Sequence, residues 1–298
     1  MKNTILCVIG VLILGSASVD LLGQDSDRRK LTWGDEFEYD GRPDPAKWDF
    51  ETGFIRNNED QWYQPENAYC SNGWLVIEAR HERKPSPWFD PSAKAEDWRH
   101  SRTNIELTSA CVITKGKRSF TYGRIDIRAK IVAEGRLWPA LWLLGDDIDE
   151  VSWPGCGEID ILEYYNDSIL ANFCWANNNW GFGRGGIPKP GGLLAQKWNS
   201  SVRHLERFTA KDPDWADRWH VWSIERTHEM TVIRLDGEVL NVQVNENCRN
   251  PKGFGRDFPF RSPMYLLMNL AVRAHDYDSK VPPCFPSLFL IDYVRVYE

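Results

Sequence analysis

Apolar and polar residues alternate one by one along many segments of the chain, which is the spacing of a half-buried β-strand. Ile125, Ile127, Ala129 and Ile131 share one face of an extended segment whose other face is charged. The same pattern predicts strands at 75–80, 109–114, 219–225, 231–235, 238–240, 264–270 and 288–297. Only 213–218 has helical character, for one or two turns. Strands at this density predict an antiparallel β-sandwich.

Turns and loops separate the predicted strands. The Asp-Gly pair at 236–237 predicts a two-residue hairpin turn. Two longer stretches interrupt the pattern, namely a Pro-containing polar insertion at 84–103 and a Gly-, Pro- and Asn-rich loop at 177–192. Long ordered loops beside a site are usually functional. Since no repeat and no linker divides the chain, we predict one domain over 24–298.

The first 23 residues have the pattern of a secretory signal peptide. Lys2 precedes an apolar run at 5–14, and small residues follow at 15–18. This run is well short of the roughly 20 apolar residues that a membrane span needs. We therefore expect the segment 1–23 to direct export, so that the mature protein is secreted or periplasmic and has no membrane span.

The net charge and the aromatic content of the chain indicate which kinds of molecule it can bind. The net charge is −7, whereas a nucleic-acid or anionic-membrane partner would require a basic face. The chain contains 15 tryptophans, more than a core of this size requires, which indicates a binding cleft lined by flat rings. We expect a monomer that binds a ligand through aromatic surfaces and does not bind nucleic acid.

Six cysteines lie outside the predicted signal segment. In an oxidising compartment they could form up to three disulfides, and they could equally remain buried free thiols. The sequence does not decide between these alternatives. No C-x-x-C pair is present and the six histidines are scattered, so we expect no metal cluster. These cysteines are Cys70, Cys111, Cys156, Cys174, Cys248 and Cys284.

Three acidic residues, Glu158, Asp160 and Glu163, lie in a strand that is otherwise suited to burial. Carboxylates there are costly unless they are paired, hydrogen-bonded or catalytic. Glu158 and Asp160 face the same side of a regular strand, and Glu163 would face the other. One β-bulge would return Glu163 to the shared face. Paired carboxyl groups about 5–5.5 Å apart are what a retaining glycosidase needs, and a third acid can keep their pKa values apart.

Several ordered motifs make the sequence resemble glycoside hydrolase family 16, and most closely its laminarinase-like endo-β-1,3-glucanases. The resemblance covers about 31–298 and includes 33–37 (WGDEF), 57–63 (NNEDQWY), 120–124 (FTYGR), 137–142 (LWPALW), 269–271 (NLA) and 292–297 (DYVRVY). It implies an all-β fold, a β-jelly-roll sandwich of two curved antiparallel sheets with an open cleft across the concave face.

Residue roles follow from this resemblance alone. It implies that Glu158 is the nucleophile, Glu163 the general acid/base and Asp160 the modulator between them. It also implies contacts with the polysaccharide substrate, with Trp138 and Trp142 on the glycone side. The residues expected to bind substrate are Trp153, Trp138, Trp142, Asn58 and Asn172, where Asn172 lies in the region in which many laminarinases carry a histidine.

No cofactor is expected for catalysis, but the resemblance raises the question of a structural calcium ion. Glu36 and Asp292 match positions that help to hold calcium in many relatives, together with a backbone carbonyl near Gly73. Oxygen ligands suit this ion. With only these two side chains to identify it, an empty site is an equal alternative.

The expected function is retaining endo-hydrolysis of β-1,3 or mixed-linkage β-glucan through a covalent glycosyl-enzyme. Arg56, Arg136, Arg184 and Arg273 lie near the predicted cleft loops, and such forks suit sulfate and carboxylate. A sulfated or marine galactan (agar, porphyran or carrageenan) is therefore an alternative substrate, unless these arginines are solvated or paired with acids. A non-catalytic carbohydrate-binding relative, and transglycosylation instead of hydrolysis, also remain open.

Overall fold

The computed structural model describes residues 29–177, 195–252, 255–274 and 284–298. The predicted signal segment 1–23 and nearly all of the loop predicted at 177–192 lie outside these residues. The strands within them are β1 (Leu31–Asp35), β2 (Asp49–Glu51), β3 (Gln61–Tyr63), β4 (Ala68–Ser71), β5 (Trp74–Pro85), β6 (Asn104–Ser109), β7 (Cys111–Ile113), β8 (Gly123–Lys130), β9 (Leu137–Gly145), β10 (Glu158–Tyr164), β11 (Ser168–Asn177), β12 (Ala195–His204), β13 (His220–Arg226), β14 (Met230–Leu235), β15 (Glu238–Val244), β16 (Met264–Val272) and β17 (Ser287–Tyr297).

Two sheets contain all of these strands. The larger has ten strands in the order β15-β14-β13-β8-β17-β5-β6-β3, with β1 paired to β17 and β4 to β5. The smaller has seven, in the order β12-β11-β10-β9-β16-β7-β2. Pairing is antiparallel except between β3 and β6. Large side chains such as Trp48, Phe173, Trp222 and Phe289 are buried in the main core.

The alternation of apolar and polar residues in the sequence matches the alternation of buried and exposed side chains in the strands. In β8, Ile125, Ile127 and Ala129 are buried, and the residues between them are partly exposed. The predicted hairpin turn is also confirmed, because Asp236 and Gly237 connect β14 to β15 with φ values of 48° and 84°. A two-residue turn of this hand requires positive φ at both positions, which Asp-Gly tolerates well.

Helical structure is more frequent than the pattern predicted. The expected turn at 213–218 is present as the 3-10 helix Trp215–Asp217. Two single-turn α-helices, α1 (Ile148–Val151) and α2 (Glu206–Thr209), were not predicted. Further 3-10 turns lie at Pro65–Asn67, Asn245–Asn247 and Pro259–Arg261. A helix of one turn is too short to show a helical period in the sequence.

The single strand predicted at 109–114 is wrong. β6 ends at Ser109 and β7 begins at Cys111, and the two strands belong to different sheets. The chain therefore crosses between the sheets at Ala110. Residues 109–113 are all buried, so no change from apolar to polar marks the crossing.

The insertion predicted between two strands lies at 86–103 and packs against a loop before β3. Trp88 contacts Gly53 so closely that a side chain at Gly53 would overlap the indole. Arg99 donates from Nε to the carbonyl oxygen of Phe54 at 2.8 Å, and Trp98 packs edge-on against the Phe54 ring. The insertion thus supports the loop at 54–60, part of which lines the cleft described below.

No helix among the described residues is long and apolar enough to cross a membrane.

All six cysteines of the described residues are free thiols, so the disulfide alternative is not supported. Five are buried and Cys284 is exposed. Burial raises the pKa of Cys156 and of Cys248 to about 12, and that of Cys70 to about 11. Because the thiolate is the reactive form, these groups are protected by both burial and protonation.

We therefore expect one thiol of the folded chain 24–298 to react with an aromatic disulfide reagent, and all six to react after unfolding without reductant. Cys284→Ser should abolish the reaction of the folded protein. Fewer than six thiols in the unfolded protein would show that disulfides form and would contradict this assignment.

Candidate active site

A single β-bulge in β10 sets the geometry of the site. Asp160 pairs with Asn172 of β11, and the next paired position joins Glu163 to Leu170. Three steps along β10 thus match two along β11, and the register with β9 shifts in the same way. The bulge predicted from strand parity is confirmed, because Glu158, Asp160 and Glu163 all line one cleft.

This cleft runs across the smaller sheet and has a volume of about 780 Å³. Six of the seven strands of that sheet contribute side chains to its lining, so the cleft extends almost from one edge of the sheet to the other. The contributing residues are Glu51; Tyr265, Asn269 and Ala271; Trp138, Ala140, Trp142 and Leu144; Glu158, Asp160 and Glu163; Leu170 and Asn172; and Trp198 and Ser200.

Two indole N–H groups fix the outer carboxylates. Trp153 donates from Nε1 to Oε2 of Glu158 at 2.9 Å, and Trp138 donates from Nε1 to Oε1 of Glu163 at 2.9 Å. Both rings are half-buried and line the cleft, as the family resemblance implied. Each glutamate therefore keeps one oxygen held by an aromatic residue of the cleft wall.

Asn172 links the middle carboxyl group to one of the outer groups. Its Nδ2 donates to Oδ2 of Asp160 at 3.1 Å and to Oε2 of Glu163 at 2.8 Å. The side chain is only 3% exposed. In this structure Asn172 orients the carboxyl groups, in addition to the substrate contact predicted for it.

Burial dominates the electrostatics of the three acids. Burial and the charge of Glu163 raise the pKa of Glu158 to about 7. Burial and the charges of both glutamates hold the pKa of Asp160 well above its usual range. Burial also raises the pKa of Glu163, against the hydrogen bonds from Trp138, Asp160 and Asn172. Because the three groups titrate together, the cluster retains protons near neutral pH.

A fourth carboxyl group of the cleft, the buried Glu59, was not singled out from the sequence. It lines the cleft, is 4% exposed, and accepts hydrogen bonds from Gln61 at 2.7 Å and Asn57 at 3.1 Å. Burial raises its pKa, and its charge contributes to the raised pKa of Glu163. The motif 57–63 contained the signal, but nothing in it placed Glu59 beside β10.

Trp142 is nearly buried, and Asn58 is exposed but points away from the cleft. Trp142 is 7% exposed, donates to Oδ1 of Asn269 at 2.7 Å, and has the Arg56 guanidinium 4.9 Å above its ring. Asn58 lies outside the cleft lining, and its Oδ1 accepts from Arg102 at 3.0 Å. The neighbouring residue Asn57 lines the cleft instead.

The arginines considered for anion binding are engaged by the protein itself. Arg56 forms an ion pair with Glu51. Arg136 donates to Oδ2 of Asp60 at 2.6 Å, and Arg273 donates to Asn166. Arg184 lies outside the described residues. Of the three described arginines, Arg56 and Arg136 are thus paired with acids, and Arg273 is hydrogen-bonded to an asparagine.

The two candidate calcium ligands do not fit a metal site. Both carboxylate oxygens of Glu36 accept from Arg295 at 2.8 Å. Asp292 accepts from Arg128 at 2.6 Å. No group of three or more acidic, histidine or cysteine side chains arranged to hold a metal occurs in the described part of the chain. Each expected ligand is thus already neutralised by a guanidinium.

A cleft that crosses one sheet of a β-sandwich, is lined by tryptophans and contains a cluster of carboxyl groups is the site of a glycoside hydrolase that acts on a long saccharide. The model of "Glycosyl hydrolases family 16" matches residues 86–282. A β-glucanase from Rhodothermus marinus is 33% identical over 302 residues, which is 98% of this chain and 91% of that protein. The chain belongs to glycosyl hydrolase family 16.

Solved structures agree with this assignment. The catalytic domain of an endo-1,3-β-glucanase (laminarinase) from Thermotoga petrophila superimposes with a TM-score of 0.68 at 31% identity, over 91% of this chain and 98% of that one. A structure from work on endo-acting O-glycanases of human gut microbiota that initiate mucin breakdown gives 0.73 at 29% identity, over 91% of both chains. The predicted jelly roll and retaining glycoside hydrolase are confirmed.

Since Glu36 and Asp292 are each paired with an arginine, we expect calcium to have no effect on thermal stability. A specific site at 100 times its Kd would stabilise the folded state by about 2.7 kcal/mol, which would raise Tm by several degrees. Thermal unfolding in EDTA and in millimolar CaCl2 measures this, with MgCl2 as the ionic-strength control. A Tm that rises in calcium alone would contradict it.

Proposed function

We propose that this protein is an exported endo-glycosidase that hydrolyses β-1,3 or mixed-linkage β-glucan with retention of configuration. The observation that carries the proposal is the bulge of β10, which brings the buried Asp160 and the half-buried Glu158 and Glu163 to one face of a cleft that extends almost from edge to edge of the sheet. A cleft of this form accepts an internal part of a chain. Export is proposed from the segment 1–23 alone.

In the first step, the Glu158 carboxylate attacks the anomeric carbon. A bond forms between that carbon and a Glu158 oxygen, and the bond to the leaving sugar oxygen breaks. The Trp153 N–H holds the other Glu158 oxygen and so fixes the direction of attack. Glu163, whose pKa is raised by burial, gives its proton to the leaving oxygen.

In the second step, Glu163 acts as the base. It takes a proton from the water that attacks the anomeric carbon, and the bond to Glu158 breaks. Asp160, whose pKa lies well above its usual range, keeps its proton and hydrogen-bonds with Glu163 between the two outer groups. This proton limits the build-up of negative charge in the buried cluster.

The charge of the cleft supports a neutral polysaccharide. Six acidic residues line it, against two basic ones, Arg56 and Lys115. Arg56 pairs with Glu51, and Lys115 pairs with Asp149 at 2.7 Å. The described lining of the cleft thus offers a sulfate group no basic side chain that is not already paired with an acid. This balance favours a glucan over a sulfated galactan, in line with the β-glucanase and laminarinase relatives.

A second candidate keeps the same mechanism on a mucin-type glycan. It is supported by the solved structure from the study of endo-acting O-glycanases, which superimposes on this chain with a TM-score of 0.73. The non-catalytic alternative is disfavoured by the presence of all three carboxyl groups in hydrogen-bonded positions.

Release of reducing ends from laminarin, lichenan, agarose, porphyran, κ-carrageenan and mucin O-glycans tests the substrate. We expect laminarin and lichenan to be cleaved. Glu158→Gln should lower kcat more than about 1,000-fold, because the nucleophile is lost, while Tm and laminarihexaose binding are retained. Cleavage of mucin glycans alone would move the assignment to the second candidate. Wild-type protein that binds laminarihexaose but cleaves none of the panel would favour the non-catalytic alternative.

Glu59→Gln should move the alkaline limb of the kcat/KM profile to lower pH. The acid must be protonated, so kcat/KM falls as the pH rises through the pKa of Glu163, and removing the Glu59 charge lowers that pKa. Asp149→Asn is the matched control, because it removes a carboxylate that lines the same cleft but is 77% exposed, so that solvent screens its charge. An unmoved limb in Glu59→Gln would rule out this coupling.

A further inference from the structure

We propose that Trp198, together with Trp153, forms a platform for the leaving part of the polysaccharide, and that this platform favours transfer of the glycosyl group to a second sugar. The proposal rests on the mechanism given above, because it assigns a side of the cleft relative to Glu158 and Glu163. It adds a residue that no sequence motif identified.

Trp198 is an exposed indole on the wall of the cleft. It lines the cleft, yet 41% of its surface is accessible. Its ring lies 6.4 Å from that of Trp153, at an interplanar angle of 49°. Trp153 in turn donates to Glu158, so the two rings form a continuous surface that begins at the nucleophile. Exposed aromatic faces of this kind bind the C–H faces of sugars.

The strand register places this surface on the short arm of the cleft. Glu158 pairs with Cys174 of β11, and Cys174 pairs with Trp198 of β12, so the three side chains share one face. Two strand spacings put the Trp198 backbone roughly 10 Å from that of Glu158. β12 is the last strand of this sheet, whereas four strands lie on the other side of β10.

The residues on the two arms differ in charge. Leu170, Asn172, Trp198 and Ser200 line the short arm, and none of them is charged. The long arm contains Trp138 and Trp142, which the family resemblance assigns to the glycone side, and the charged residues Glu51, Arg56, Glu59, Lys115 and Asp149. The short arm is therefore the side that receives the leaving sugar.

Hydrogen bonds to the larger sheet hold β12, the strand that carries Trp198, in place. Asn199, next to Trp198, donates from Nδ2 to the carbonyl oxygen of Val242 at 3.1 Å and to Gln243 at 2.9 Å. Asn241 donates from its Nδ2 to the carbonyl oxygens of Ala171 at 2.8 Å and Asn199 at 3.0 Å. These bonds fix the backbones of β11 and β12 against β15. Little conformational entropy of the protein is therefore lost when a sugar binds.

A sugar bound on this platform competes with water for the glycosyl-enzyme. Its hydroxyl oxygen attacks the anomeric carbon, the bond to Glu158 breaks, and the hydroxyl proton passes to Glu163. This is the reverse of the first step with a new acceptor, so no other reactant is required. A tighter acceptor site raises the share of transfer over hydrolysis.

The test compares Trp198→Ala, Trp198→Phe and Val202→Ala. Val202 is the matched control, because it is exposed on the same strand but does not line the cleft. Two substrates are used for each variant. Laminarihexaose can reach the platform with its leaving part, whereas an aryl β-laminaribioside carries a small leaving group that does not require it.

For Trp198→Ala we expect kcat/KM on laminarihexaose to fall about three- to tenfold, with a similar fall in the ratio of transfer to hydrolysis products. First-step turnover of the aryl glycoside and Tm should stay unchanged. Trp198→Phe should keep part of the effect, and Val202→Ala should match the wild type. An equal loss on both substrates, or an unchanged product ratio in Trp198→Ala, would overturn the proposal.

Failure of the glucan assignment is distinguishable from failure of the platform. If the wild type cleaves another glycan of the panel, an oligosaccharide of that glycan replaces laminarihexaose and the same comparison applies. If the wild type binds laminarihexaose but cleaves none of the panel, calorimetric titration of laminarihexaose into the wild type and into Trp198→Ala decides. Equal affinities would then overturn the platform.

Discussion

One extra residue in β10 determines how the rest of the site is built. On a regular strand, Glu163 would point into the core between the sheets, where an ionised carboxylate is unstable. The bulge turns it to the face of Glu158 and Asp160, so three acids meet in a cleft. The pairing of β10 with β11 and its pairing with β9 both shift register at this point, so both neighbouring strands hold the bulge in place.

The three carboxyl groups of β10, one buried and two half-buried, must be satisfied by nearby donors. The two indole N–H groups and the amide of Asn172 supply these donors, and each comes from a different part of the chain: β9, the segment before β10, and β11. A carboxylate left without donors at these positions would be destabilising, so these donors stabilise the fold as well as the reacting geometry. The same burial raises the pKa values that acid and base catalysis require.

The long arm and the short arm of the cleft are stabilised by different contacts. On the long arm, the insertion 86–103 binds the loop at 54–60 through Arg99, and Trp88 packs on Gly53 directly before that loop. On the short arm, Asn199 and Asn241 tie the edge strand to the other sheet. The concave sheet can therefore remain open along its length without losing the positions of its aromatic rings, which an elongated substrate requires.

Local patterns in the sequence determined the strands, the hairpin at 236–237, the three acids and the need for a bulge, because alternation reports which face each residue occupies. Alternation does not report which distant segments meet. Only the tertiary structure placed Glu59 and Trp198 in the cleft and paired Arg56 with Glu51. It also paired the carboxylates of Glu36 and Asp292 with arginine side chains. Those outcomes depend on contacts between residues far apart in the chain, whose energies arise only when the two sheets close on each other.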